Sequence, residues 1–367
     1  MRNDLPTENT TRECQAGAPL TPLGEARCSI LTTHHKHFHP AWVQRTILLP
    51  GWYEEFERAN ASHWQSAKWA YRLFRESRNY DAVVTGAEHC GTWFAMLQTL
   101  FRRPSMRRPH VMIDFPWAAR PGRLKLALKA LQMRVTAPAL DVIFAHSSPE
   151  EAARFTSALG VREGLFQFVP FHHSFTGPLP EVTEGDYIFS GGNYGRDYQT
   201  LIEALTGTNH KAIICAQEQQ FLREVCVPPN VTVTAVTHQR FYEVMAGAAA
   251  VVVPLKAGDI HPGGHTIVVH AMALGKPVIV AAPPEYRSYI ENGRTGLITT
   301  PGDAAQLRSA IDCVRSDREL TRTLAQNAKT ASARFAPEEF ITQVLRHVDI
   351  ALDAKRNATA SARGLHP

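Results

Sequence analysis

The stretch GDIHPGGHTIVVHAMALGKPVI, Gly258–Ile279, decides the fold of this chain. An apolar, β-branched run, Ala249–Leu255, leads into a glycine-rich loop, and a helix-length apolar segment opens at His265. First-turn amides of a helix have no acceptor within it, and the helix dipole adds to their pull, so such a junction favours phosphate or diphosphate. Gly263 and Gly264 let a ligand approach the backbone closely. Thr266 and His270 are one turn apart and share a face. If that face looks into a cleft, Thr266 can donate to phosphate and His270 to a sugar hydroxyl. Otherwise the loop is a tight turn and His270 a packed histidine.

The same alternation of short β-rich runs with helix-length segments extends upstream. Asp186–Ser190 runs into Gly191 and Gly192 and is followed by a predicted helix over Arg196–Leu205. Further strands are predicted over Lys211–Ala216, Val231–Val236 and Pro277–Ala281, with helices at Gln219–Cys226, Gln239–Ala246 and His265–Leu274 between them. This spacing implies an α/β, doubly wound, largely parallel sheet with helices on both faces. The first half repeats it in weaker form, with strands at Asp81–Thr85, His110–Ile113 and Asp141–Ala145. Phe171–Gly185 reads as a linker. The expected organisation is a tail over 1–27, a first domain over 28–175, a second over 176–345, and a helix end and frayed tail over 346–367. Two such domains place a cleft between the carboxyl ends of their strands, where ligands bind in sheets of this kind.

Several motifs carry a family resemblance. GGHT (Gly263–Thr266) through HAMALGKPVI (His270–Ile279), then ENGRTGLI (Glu291–Ile298) and PGD (Pro301–Asp303), resemble the donor domain of GT-B glycosyltransferases, closest to the retaining family 4 group. FSGGNYGRDYQTLIEA, Phe189–Ala204, resembles the opening of that domain. The resemblance covers about residues 186–336 and implies two Rossmann-like domains facing a central cleft. It also implies a nucleotide-diphosphate sugar as co-substrate, no cofactor or metal, and a glycan or lipid-linked acceptor. Gly192 stands where the family commonly has an Arg, and Arg196 falls near its Lys, which makes Arg196 the candidate diphosphate clamp beside Gly191 and Gly192. Pro262 and His270 stand where the family has two glutamates, and Asp259 lies three residues upstream of the first. His270 would then take the ribose hydroxyls, with Gly263, Gly264, His265 and Thr266 around the diphosphate. Two other readings keep the fold: a nucleotide-sugar 2-epimerase, or a GT-B protein that has lost catalysis and binds a glycan or partner.

On the acceptor side, Asp114 follows the strand His110–Ile113 and is a candidate general base, or else a partner of nearby arginines. His89, with Glu88, is a second candidate. The tract His34–His39 alternates histidines but carries no carboxylate or cysteine, so no metal site is expected.

The net charge of +5 over 367 residues is unevenly spread. Phe101–Val135 holds nine basic residues against one acid, Asp114, a local +8 that leaves the remainder at −3. One basic patch excludes a polyanion binder that is basic throughout, so no nucleic-acid partner is expected. Within the patch, Leu124, Leu128, Leu131 and Val135 form one stripe of a helix flanked by Lys125, Lys129, Arg123 and Arg134. That stripe either docks in its own domain or lies on an anionic membrane surface along Arg102–Arg134. Six cysteines without CxxC spacing suggest reduced thiols, and no apolar run reaches the ~20 residues of a span. A cytoplasmic protein, peripheral at the inner membrane face, is the corresponding expectation.

Overall fold

The computed structural model describes residues 29–34, 39–52, 63–86, 89–115, 122–175, 177, 179–217, 219–223, 225–256 and 263–362. The expectations for the 1–27 tail, His35, His37, Glu88, Asp259 and Pro262 lie outside the described residues.

Two six-stranded sheets organise the chain, and every strand pair in them is parallel. The first contains β1 (Ile30–Thr32), β2 (Thr46–Leu48), β3 (Ala82–Thr85), β4 (His110–Met112), β5 (Val142–Ala145) and β6 (Phe166–Phe168), in the order β2-β1-β3-β4-β5-β6. The second contains β7 (Tyr187–Gly191), β8 (Lys211–Cys215), β9 (Val231–Thr234), β10 (Ala250–Pro254), β11 (Val278–Ala281) and β12 (Leu297–Thr299), in the order β12-β11-β10-β7-β8-β9. The central strands are continuous apolar runs because helices cover both faces, the signature of parallel sheets. β3, β5, β10 and β11 are buried at every residue.

Strand order fixes where a ligand can enter. In the second sheet the chain runs outward from β7 through β8 and β9, then returns to place β10 on the other side of β7. Connections leaving β7 and β10 diverge there and open a crevice at the carboxyl ends of the two strands. Gly191–Gly192 and the loop ending at Gly264 are those two connections.

Three expectations need correction. Arg196 is not part of a helix; that helix spans Tyr198–Leu205, capped by Asp197, and Arg196 forms an isolated bridge to Leu255. Only a 3-10 turn, Gln220–Arg223, occupies the predicted helix Gln219–Cys226. The second domain also ends earlier than 345. The helix Pro337–Ala362 packs Phe340, Ile341, Val344, Leu345, Val348 and Leu352 against Ile30, Val84, Val111 and Phe144 of the first sheet. Burying each such side chain contributes roughly 1.5–3 kcal/mol, enough to anchor the chain end on the first domain.

The basic helix, Arg123–Thr136, resolves its two readings in an unexpected way. It packs through Leu126, Ala130 and Met133, while Leu124, Leu128 and Leu131 are 74%, 58% and 60% exposed. The leucine stripe therefore faces outward. Trp52 and Trp69 are buried in an edge-to-face pair with ring centroids 5.2 Å apart, whereas Trp64 is exposed. Among the described residues no helix is long and apolar enough to cross a membrane.

Candidate active site

A cavity of about 490 Å³ opens at the crevice between β7 and β10. Gly191, the last residue of β7, leads to Gly192 at φ +95°, a left-handed conformation that side chains resist. A Cβ on Gly192 would also lie 2.8 Å from Arg196 Nη2. The turn folds Arg196 back beneath itself. Its Nε donates to Gly191 O and its Nη1 to Tyr194 O, both at 2.8 Å. Arg196 is only 8% exposed.

Among the described residues no carboxylate pairs with this guanidinium; its partners are carbonyls, with the Tyr198 and Tyr286 hydroxyl groups nearby. Burial accordingly pushes its pKa below the usual arginine value. A buried cation without a counter-charge is costly, several kcal/mol in real proteins. No Asp or Glu is found among the described residues lining the cavity. An anionic ligand would supply the missing charge.

The start of the helix His265–Ala273 lies directly beside this guanidinium, since a Cβ on Gly264 would come within 3.2 Å of Arg196 Nη1. Gly264 caps it at φ +99°, where a Cβ would lie 2.9 Å from Val253 Cγ1. Tyr286 donates its hydroxyl to Gly263 O and fixes the loop. Every residue of this helix is buried except Thr266, which lines the cavity. His265 stacks on the Tyr286 ring, with centroids 4.4 Å apart and planes 9° from parallel. Arg196, Gly192, Gly263, Gly264, His265 and Thr266 therefore surround one space.

His270 lines the same cavity but is not free to hold a ribose. Its Nδ1 lies 2.6 Å from Thr266 O, so that nitrogen carries the proton, and its Nε2 accepts from Ser174 N at 2.9 Å. Ser174 Oγ is 2.8 Å from the same nitrogen. Burial holds the imidazole neutral, with its pKa pushed down to about 4. The expected sugar contact is thus replaced by a tie to the segment that links the domains. Tyr242 stacks on His270 at 4.7 Å.

The cavity wall on the β8–β9 side is Gln217, Val236, Thr237, His238 and Phe241. Asn193 Oδ1 accepts from Gln217 N at 2.9 Å, and Gln217 Nε2 donates to Val236 O at 2.7 Å. Neither of the acceptor-side candidates lines this cavity. Asp114, half-buried, follows β4, and its Oδ1 accepts from Phe115 N at 2.7 Å. His89 opens the helix after β3, so the two residues sit beyond the carboxyl ends of neighbouring strands.

Sequence reasoning missed the tyrosines. Tyr289 accepts from Phe171 N at 2.7 Å and donates to His146 O, joining the second domain to the end of β5. The PPEYRSYI run held the signal, since Tyr286 and Tyr289 fall three residues apart, but nothing in it names their partners.

Residues 211–331 match the family described as glycosyl transferases group 1. An exopolysaccharide phosphotransferase of Streptomyces coelicolor is 30% identical over 139 residues, covering 35% of this chain. The match spans only 14% of that relative's length. HepE of Anabaena, solved with UDP and glucose, superposes with a TM-score of 0.65 at 18% identity, covering 88% of this chain and 99% of that one. Sucrose-phosphate synthase of Thermosynechococcus elongatus gives a TM-score of 0.60 at 17% identity over 84% of each chain. The chain thus has the two-domain GT-B fold, and its second domain carries the pattern of the glycosyl transferases group 1 family over residues 211–331.

Proposed function

We propose that this protein is a glycosyltransferase that moves a sugar from a nucleotide-diphosphate sugar to a glycan or lipid-linked acceptor in polysaccharide assembly. The observation that carries the reading is Arg196, a buried guanidinium with no counter-charge among the described residues, lying beside a helix N-terminus at the same cavity. A diphosphate satisfies both. In the transfer, the bond between the anomeric carbon and the diphosphate oxygen breaks as the acceptor oxygen bonds to that carbon. Arg196 and the first-turn amides of His265–Ala273 stabilise the negative charge left on the diphosphate. No metal or cofactor is needed for that role, and the motif resemblance favours retention of configuration. The acceptor's proton leaves to a base, for which Asp114 and His89 are the candidates. Residues 211–331 and the UDP bound by HepE support the donor class.

The first domain meets its acceptor at the inner face of an anionic membrane. Its exposed Leu124, Leu128 and Leu131 lie between Lys125, Arg123 and Arg134, and each basic residue near such a surface contributes ~1 kcal/mol. A panel of UDP-, GDP- and TDP-sugars, scored for nucleoside diphosphate release with and without lipid extract, tests the reading. Release that requires the extract supports it; no release with any donor opposes it.

A further inference from the structure

A second cavity, of about 530 Å³, lies on the opposite side of the second domain. Gly185 and Asp186 precede β7, Ala248 and Ala249 precede β10, and Lys276 and Pro277 precede β11, so it opens at the amino ends of these strands. The donor cavity lies at their carboxyl ends, with the sheet between them.

Four cations line this space: Lys276, Arg315, Arg318 and Arg322. Two acids accompany them, and one, Asp186, already accepts from Lys211 Nζ at 2.6 Å. Lys276 is 4% exposed and spends two of its three donors on Thr183 O at 2.7 Å and Ala248 O at 2.8 Å. Arg315 donates to Asp186 O at 3.2 Å. Among the described residues the Arg318 and Arg322 side chains have no hydrogen bond or ion pair. They stand one turn apart in the helix Arg318–Ala331, and Arg318 is its first residue. Asp317 caps this helix and Glu319 stands in its first turn, so the dipole is already met, but like charges at i, i+4 repel. That repulsion is relieved if an anion sits between them.

We propose that this cavity binds a small phosphate ester carrying hydroxyl groups, of sugar-phosphate size. The guanidinium forks of Arg318 and Arg322 match phosphate oxygens, and Lys276 adds a buried positive charge behind them. Glu184, at the rim, accepts from ligand hydroxyls. A volume of about 530 Å³ exceeds what a bare phosphate fills and suits a small organic molecule.

Calorimetry with glucose 1-phosphate and with inorganic phosphate tests the assignment on three proteins: wild type, Arg318→Gln/Arg322→Gln, and Arg196→Gln. Both replaced arginines of the double variant are exposed, so its fold is preserved, and Arg196→Gln separates this site from the donor cavity. The expected result is saturable binding of glucose 1-phosphate, tighter than phosphate, weakened at least about tenfold in the double variant and unchanged in Arg196→Gln. Three results overturn the proposal: no saturable binding by wild type, equal affinity in the double variant, or loss in Arg196→Gln alone.

Discussion

Ser174 in the interdomain segment donates its backbone amide to His270 Nε2 at 2.9 Å, and the other nitrogen of that ring meets Thr266 O at 2.6 Å. A single neutral imidazole thus connects the chain crossing between domains to the helix turn that faces the donor cavity. Replacing His270 by Ala removes the acceptor of Ser174 N from a part-buried hydrogen bond, a loss of about 0.5–1.5 kcal/mol before the cost of the cavity left at the fully buried ring. Ser174→Ala removes only the hydroxyl and should cost less. Urea denaturation of both variants checks the order; equal losses would contradict it.

His270 also makes stability depend on pH. Its folded pKa, about 4, lies below the ordinary value of 6.5, so the unfolded chain binds the proton more readily. Its contribution is complete above pH 6.5 and is lost as pH falls toward 4, about 3 kcal/mol in all. His110, buried with its pKa pushed down to about 3, acts in the same direction. Denaturation across pH 4 to 7 should show stability rising with pH, with a shallower slope in His270→Gln. An unchanged slope would show that His270 is not buried neutral.

Tyr289 is expected to hold the domains together more than to shape the cavity. Tyr289→Phe strands Phe171 N and His146 O, and should cost about 1–3 kcal/mol with nucleotide affinity little changed. Tyr286→Phe releases Gly263 O in the glycine pair before the helix and should weaken nucleotide binding. Thermal unfolding and nucleotide titration on the pair separate the two roles.

The two faces of the basic helix should respond oppositely. Leu124→Ser/Leu128→Ser/Leu131→Ser removes exposed side chains, leaves stability intact and abolishes flotation with anionic vesicles. Met133→Ala, at a fully buried position, costs about 2–5 kcal/mol. Flotation of the triple variant equal to wild type would remove the membrane assignment.

The second sheet and its cavity were legible because β-branched runs, a glycine pair and a helix start follow one another in Gly258–Ile279 and Phe189–Ala204, and local sequence dictates each junction. Partners across the fold were not legible. The spacing of Thr266 and His270 gave a shared face, yet the Ser174 amide that occupies His270 lies 96 residues away. The Arg123–Thr136 helix showed one leucine stripe, and its spacing left open whether that stripe docks in its own domain or faces a membrane. Packing instead used Ala130 and Met133, because small and pliant side chains let the helix sit close to the Ala152–Phe155 surface. Periodicity likewise marked the last helix but could not say which sheet it covers.

Arg196 and its missing counter-charge underlie the proposed diphosphate binding. Calorimetric titration of wild type and Arg196→Lys with UDP, repeated with GDP and TDP, addresses it most directly. Saturable binding of one nucleotide by wild type is expected. Arg196→Lys should bind it at least about tenfold more weakly, since an ammonium cannot span Gly191 O, Tyr194 O and a phosphate at once. Equal affinity in the two proteins, or no binding of any nucleotide by wild type, would contradict it.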